Sequence, residues 1–148
     1  MDNPKVIVKE TGKYGKGLFA REKIFKDEII AEFDGKIYDS STNWTKELED
    51  HVIQFSKNNW RGSNGIARLI NHSCEPNCGI KDLFKIVSMR EISPREEVVW
   101  DYEMTENHTW RMECKCGHSS CRKIIGAYDN MPQNVRGKYG DYISEWLR

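Results

Sequence analysis

Three cysteines within eight residues, Cys114, Cys116 and Cys121, form the densest chemical grouping in the chain. Thiolates at this spacing suit a metal loop. Zinc takes four nitrogen or sulfur ligands in a tetrahedron, at about 2.3 Å from each sulfur. The fourth donor must come from elsewhere, and Cys74, Cys78, His118 and His72 are available. A four-thiolate site has no open position, so it would be structural rather than catalytic. The cysteines number five in all. An odd count, with neither a basic nor an apolar leader region in Met1 to Glu10, argues against a disulfide framework. The compartment expected is therefore a reducing one, cytoplasmic or nuclear, with a host cell receiving the protein as a third setting.

The elements that must position these groups read as a mostly β domain. With 148 residues and a hydrophobic share of 38%, the chain suits one compact unit with a real core. No apolar run approaches the roughly 20 residues a membrane helix needs. Lys+Arg 23 balance Asp+Glu 23, which offers nothing to a nucleic-acid or membrane-surface binder. Short apolar runs predict strands at Val6 to Val8, Leu18 to Ala20, Ile29 to Phe33, His51 to Phe55, Phe84 to Met89 and Glu97 to Trp100. Between them, Gly12 to Gly17 reads as a turn, Ser40 to Leu48 as a loop with one helical turn at most, and Asn58 to Gly65 as a loop. Val135, Tyr139, Tyr142, Ile143, Trp146 and Leu147 fall on one helical face after Pro132. That spacing predicts a C-terminal amphipathic helix packed back on the domain.

Four strings then carry a resemblance. Gly15-Lys16-Gly17-Leu18-Phe19-Ala20, Asn71-His72-Ser73-Cys74-Glu75-Pro76-Asn77, Glu96-Glu97-Val98-Val99-Trp100-Asp101-Tyr102 and Cys114-Lys115-Cys116-Gly117-His118-Ser119-Ser120-Cys121-Arg122 stand in this order. Together they resemble the SET-domain protein lysine methyltransferases: cofactor turn, Asn-His loop, catalytic-tyrosine strand and post-SET zinc loop. The resemblance implies a β-clip of small sheets in which the second and third strings are threaded through one another. It implies a SET unit over residues 1–109, a post-SET zinc loop over 110–126 and a tail over 127–148. The chain looks like a compact member with no cysteine-rich pre-SET module. The fourth zinc ligand in such members is the cysteine of the Asn-His string, so Cys74 joins Cys114, Cys116 and Cys121 around one structural zinc, and Cys78 is left spare.

The resemblance also assigns chemistry. The activity implied is S-adenosylmethionine-dependent lysine N-methylation of a protein or peptide, histone tails among the candidates. Tyr102 matches the catalytic tyrosine. Cofactor contacts fall to Tyr14, Gly15, Lys16, Gly17, His51, Arg68, Asn71, His72 and Tyr102, with His72 needed only for its main chain. Phe33 and Trp100 would line the lysine channel, where many relatives carry a tyrosine in place of Phe33 and Phe or Tyr in place of Trp100. A lysine amine, of ordinary pKa about 10.4, must lose its proton before it can attack; a narrow apolar channel beside a sulfonium favours that loss by desolvation and repulsion. The partners expected are a lysine-bearing protein and no membrane or nucleic acid, with the chain itself a monomer. The competing reading is a catalytically silent SET domain serving as a zinc-stabilised binding module; the presence of Tyr102 and Asn71 favours the enzyme.

Overall fold

The computed structural model describes residues 2–148; Met1, where the expected 1–109 unit begins, lies outside the described residues. The strands run β1 Val6–Glu10, β2 Lys16–Ala20, β3 Ile29–Glu32, β4 Ile37–Asp39, β5 Ile53–Ser56, β6 Asn59–Arg61, β7 Asn71–His72, β8 Cys78–Lys81, β9 Lys85–Ser88, β10 Glu97–Trp100, β11 Asn107–Glu113 and β12 Ile124–Ala127. Helix α1 spans Lys46–Glu49 and α2 spans Gln133–Tyr139. The mostly β expectation holds. Seven strands form one sheet, ordered β1-β2-β10-β8-β9-β3 with β7 also on β10; β4-β6-β5 and β11-β12 make two smaller sheets. No helix among the described residues is long and apolar enough to cross a membrane.

The core is built from apolar runs in the strands, several of which bury consecutive residues. Leu18 on β2, Ile30 on β3, Ile80 on β8, Ile86 on β9 and Val98 on β10 are all essentially sealed from solvent. Each buried aliphatic side chain of this kind stabilises the fold by about 1.5–3 kcal/mol. Ile24 and Ile92, outside the strands, join them through an isolated antiparallel bridge.

The link between the second and third motif strings is a parallel one. Asn71 and His72 of β7 lie opposite Val99 and Trp100 of β10, and Cys78 of β8 lies opposite Trp100 as well. Between these pairings, Ser73 N donates to Trp100 O at 3.0 Å and Asn77 N donates to Val99 O at 3.2 Å. The buried Asn77 amide completes the clasp: its Nδ2 donates to Glu97 O at 2.8 Å and its Oδ1 accepts from Val99 N at 3.0 Å. One loop therefore leaves and rejoins β10 along the same strand.

Several elements differ from the sequence reading. Asn59–Arg61, read as loop, is the central strand of the three-stranded sheet. It is only three residues long, and the turn-forming Asn58 and Gly62 on either side mask it. Strands β4, β7, β8, β11 and β12 are likewise additions. The helical turn expected near residue 45 is α1, capped by Thr45 Oγ1, which accepts from Leu48 N at 3.2 Å. The C-terminal helix is shorter than its periodicity predicts. It stops at Tyr139 because Gly140 adopts φ +55°, and two 3-10 turns, Gly140–Tyr142 and Glu145–Leu147, follow. The apolar face survives the break, since Tyr139 and Ile143 are buried in the core. The tail is pinned by Ser144 N to Met104 O and by Trp146 Nε1 to Thr105 O, both at 2.9 Å.

Candidate active site and metal centre

Strand β10 ends at Trp100, and the chain then turns so that Tyr102 points into a narrow recess. Its hydroxyl donates to Ile70 O at 2.7 Å. The ring is held at 5.1 Å from Trp100, 5.3 Å from His72 and 6.3 Å from Trp110, centroid to centroid. Phe33 meets Trp100 edge-on at 6.3 Å. The recess, of about 20 Å³, is lined by Phe33, Ile70, Trp100, Tyr102, Thr105 and Glu106, and His51 and Arg68 also face it. That is room for one group of water size. Burial first, then the Asp50 and Glu97 carboxylates, hold the Tyr102 phenol well above its ordinary value. It therefore stays neutral. Trp100 Nε1 is buried and finds no hydrogen-bond acceptor among the described residues.

The β1–β2 turn lies against the Asn-His loop. Thr11 Oγ1 organises the turn by accepting from Tyr14 N at 2.8 Å and donating to Gly15 O at 2.9 Å. Asn71 Nδ2 bridges to Lys16 O and to Glu97 Oε2, both at 3.0 Å. A Cβ on Gly17 would stand 2.6 Å from Glu97 Oε2 and 2.8 Å from Asn71 Nδ2. Glycine is thus required for close approach rather than for an unusual φ. Gly17→Ala is expected to displace the Asn71 amide and weaken binding of the S-adenosylmethionine that the sequence resemblance implies by about tenfold, a change of about 1.4 kcal/mol. Titration calorimetry on both proteins checks this.

The residues expected to contact a cofactor do not share a single hollow. Tyr14 and His72 line a cavity of about 250 Å³ with Ser73, Glu97, Cys116 and His118. His51 and Arg68 line another, of about 380 Å³, with Thr45, Glu47 and Leu48. Asn71, Lys16 and Gly17 are in mutual contact. The Tyr14 hydroxyl is buried without a partner among the described residues.

The cysteines converge as expected. The sulfurs of Cys74, Cys114, Cys116 and Cys121 lie within 4.8 Å of one another. Cys74 and Cys114 are 3.7 Å apart, sulfur to sulfur. A tetrahedron with metal–sulfur bonds of about 2.3 Å has edges of about 3.8 Å, so the donor set fits zinc in number, type and spacing. Burial pushes Cys74 up to about 11 and Cys114 higher still, whereas Cys116, where backbone donors from Cys74 and His118 outweigh burial, is drawn down to about 7. Four such thiols ionise together only around a cation. Cys78 stands apart, wholly buried, its thiol pushed far up by burial.

His72 has a side-chain role that the sequence reading did not assign. Burial, and Arg122 next, push it down to about 3, so the ring is neutral. Its Nδ1 accepts from Tyr102 N at 3.1 Å, which places the ring proton on Nε2, 3.5 Å from Cys74 Sγ. The imidazole thus joins the Tyr102 backbone to the sulfur cluster. A second link runs through Arg122, whose N donates to Cys74 Sγ at 3.3 Å while its Nη2 reaches Asp101 Oδ2 at 2.7 Å and Glu103 Oε1 at 2.9 Å. Burial works against the Arg122 charge, but Asp101 and Glu103 outweigh it and hold the guanidinium above its ordinary range. Tyr139 Oη from α2 donates to the same Asp101 carboxylate at 2.7 Å. Metal loop, β10 and tail therefore share one buried polar network.

Residues 15–103 match the family model described as "SET domain". The chain belongs to the SET-domain family. Relatives of this SET domain include the "Histone-lysine N-methyltransferase set-2" of Caenorhabditis elegans, 33% identical over 135 residues, which cover 76% of this chain and 9% of that protein. The "Probable histone-lysine N-methyltransferase set-23" of Caenorhabditis briggsae is 29% identical, covering 82% of this chain and 60% of its own length. The chain thus spans less than two thirds of either relative. The fold is shared with a solved structure described as KRYPTONITE with mCHH DNA, an H3(1-15) peptide and SAH. The TM-score there is 0.63 at 22% identity, over 80% of this chain and 29% of that chain.

The parts of the site invisible in sequence lie mostly on β11. Trp110 packs over Tyr102 and donates from Nε1 to Asp50 Oδ1 at 3.3 Å. Glu106 lines the recess. The period-two run His108, Trp110, Met112 is the one signal that points to this strand.

Proposed function

We propose that this SET domain transfers a methyl group from S-adenosylmethionine to the side-chain amine of a lysine in another protein. The observation that carries the reading is the neutral Tyr102 hydroxyl, fixed to Ile70 O at the wall of an aromatic recess of about 20 Å³. S-adenosylmethionine, when bound, supplies an electrophilic methyl carbon on a sulfonium. The residues present suit it: a glycine-permitted close approach at Gly17, the Asn71 amide, and Tyr14 with an unpartnered hydroxyl.

The protein's part is positioning, desolvation and electrostatics. Tyr102 donates its hydroxyl hydrogen bond to Ile70 O, which leaves the phenolic lone pairs free to accept from the incoming amine. Phe33 and Trp100 wall the channel with hydrocarbon, which disfavours the ammonium and excludes water. The lysine proton leaves to solvent before attack. With the cofactor bound, Tyr102, Phe33 and Trp100 would hold the neutral amine with its lone pair toward the methyl carbon that the cofactor supplies. No strong base is required inside the recess. Cys74, Cys114, Cys116 and Cys121 hold one structural zinc that fixes the 110–126 loop to the Asn-His loop. The chain acts as a monomer, with Asn71 toward the cofactor's amino-acid end and Arg68 and His51 near the cofactor.

A labelled-methyl assay on lysine peptide arrays and whole-cell extract tests the reading, together with calorimetry on the cofactor. Stoichiometric binding of S-adenosylmethionine and label on lysine are expected. No binding at high protein concentration would overturn the proposal and leave a silent binding module in its place.

A further inference from the structure

Beside the recess lies a larger hollow that methyl transfer does not use. It measures about 340 Å³ and is lined by Trp44, Trp60, His108, Glu49 and Glu106. It shares Val52 and Glu106 with the Tyr102 recess, so the two openings are neighbours. Trp44 meets Trp60 edge-on at 5.2 Å, and Trp60 meets His108 edge-on at 5.4 Å. The wall is set by rigid elements, for Trp60 sits at the centre of β6 between β4 and β5.

Two carboxylates, Glu49 and Glu106, stand among the polar groups that line this hollow. Glu106, 5% exposed, accepts from Gln54 N at 2.8 Å and Thr105 Oγ1 at 2.7 Å through Oε2, and faces His108 Nε2 at 3.2 Å through Oε1. Trp110 N donates to His108 Nδ1, so Nε2 carries the ring proton and donates to Glu106. A carboxylate accepts about four hydrogen bonds, which leaves Glu106 one position. Glu49 is half-buried, and its carboxylate makes no hydrogen bond or ion pair among the described residues. The cation facing these groups is Lys57, exposed to solvent on a flexible stem.

Trp44 is the less buried of the two indoles, and an indole beside carboxylates favours a flat cation. A guanidinium stacks on tryptophan while its N–H groups reach carboxylate oxygens in fixed geometry, whereas an ammonium is more strongly hydrated and less directional. An apolar occupant would strip water from Glu49 and Glu106 without replacing it, and an acidic one would be repelled. We infer that this hollow receives an arginine side chain of the same substrate whose lysine enters the Tyr102 recess. The substrate class is then a protein segment with arginine close to the target lysine. The inference rests on the methyltransferase reading for its second half and on the hollow alone for its first.

The test uses the full chain and heptapeptides with a central lysine and one arginine moved through the other positions. Alanine, glutamate and lysine replace that arginine in the control series. Binding is read by fluorescence anisotropy, and methylation by label. One arginine position is expected to bind about tenfold tighter than alanine there, within the range of a desolvated cation–π contact with charge pairing. Methylation should follow through a lower KM at similar kcat. Glu49→Gln should remove most of that preference and methylate the arginine-free peptide at the wild-type rate. Equal binding of the arginine and alanine series, stronger binding of glutamate, or a preference untouched by Glu49→Gln would each overturn the inference. A lysine series matching arginine would overturn the guanidinium assignment. Methylation without arginine preference would sink the hollow's role and spare the activity; arginine-dependent binding without methylation would do the reverse.

Discussion

Tyr102→Phe is expected to lower turnover by about 10²- to 10³-fold while S-adenosylmethionine affinity changes by less than about twofold. The ring stays, and with it the contacts to Trp100, His72 and Trp110. Only the hydroxyl is lost, and with it the group that orients the amine. Ile70 O loses its donor as well, a cost of about 1–3 kcal/mol in stability for a buried acceptor. Stopped-time assays with calorimetry on the same preparation separate the two effects. Turnover equal to wild type would show that Tyr102 is a packing residue.

The second large effect concerns the metal. Metal analysis is expected to find one zinc per chain, lost in Cys116→Ser and retained in Cys78→Ser. Structural zinc sites have apparent binding energies of about 10 kcal/mol or more, so its removal by a chelator should melt the 110–126 loop. Activity should fall with it, although no catalytic atom is taken away. The route is visible in the structure: Cys74 Sγ faces His72 Nε2, whose other nitrogen holds Tyr102 N, and Arg122 N, beside Cys121, donates to the same sulfur. Zinc loss in Cys78→Ser instead would move the fourth ligand away from Cys74.

The site was legible where function compresses chemistry into short strings. Asn71 to Asn77, Glu96 to Tyr102 and Cys114 to Arg122 hold groups whose types and spacing have few other uses, and the structure brings all three together. The sheet was legible where consecutive apolar residues marked a strand, as in β1 and β10. It was hidden in β6, where three residues carry no period. The tail periodicity was real, but it could not reveal that the helix breaks at Gly140. Tyr139 finding Asp101 across 38 residues, or Trp110 covering Tyr102, is a tertiary event with no local signature. The His72 ring belongs to the same class: its surroundings, not its neighbours in sequence, make it neutral and place its proton.

The clasp of Asn77 on β10 also dictates an order of assembly. Residues 71–78 and 97–100 are about twenty apart in sequence, and their parallel pairing must close that intervening chain into a loop. The entropy of that closure is lost before most of its contacts form, which slows the last stage of folding. The same topology delays escape. The amides of Val99 and Asn77 are expected to exchange with deuterium only through global opening, after those of α1 and the metal-loop residues have exchanged. A native chain that has once closed is thus held by a kinetic latch as well as by its core, and the metal loop can fray without releasing it.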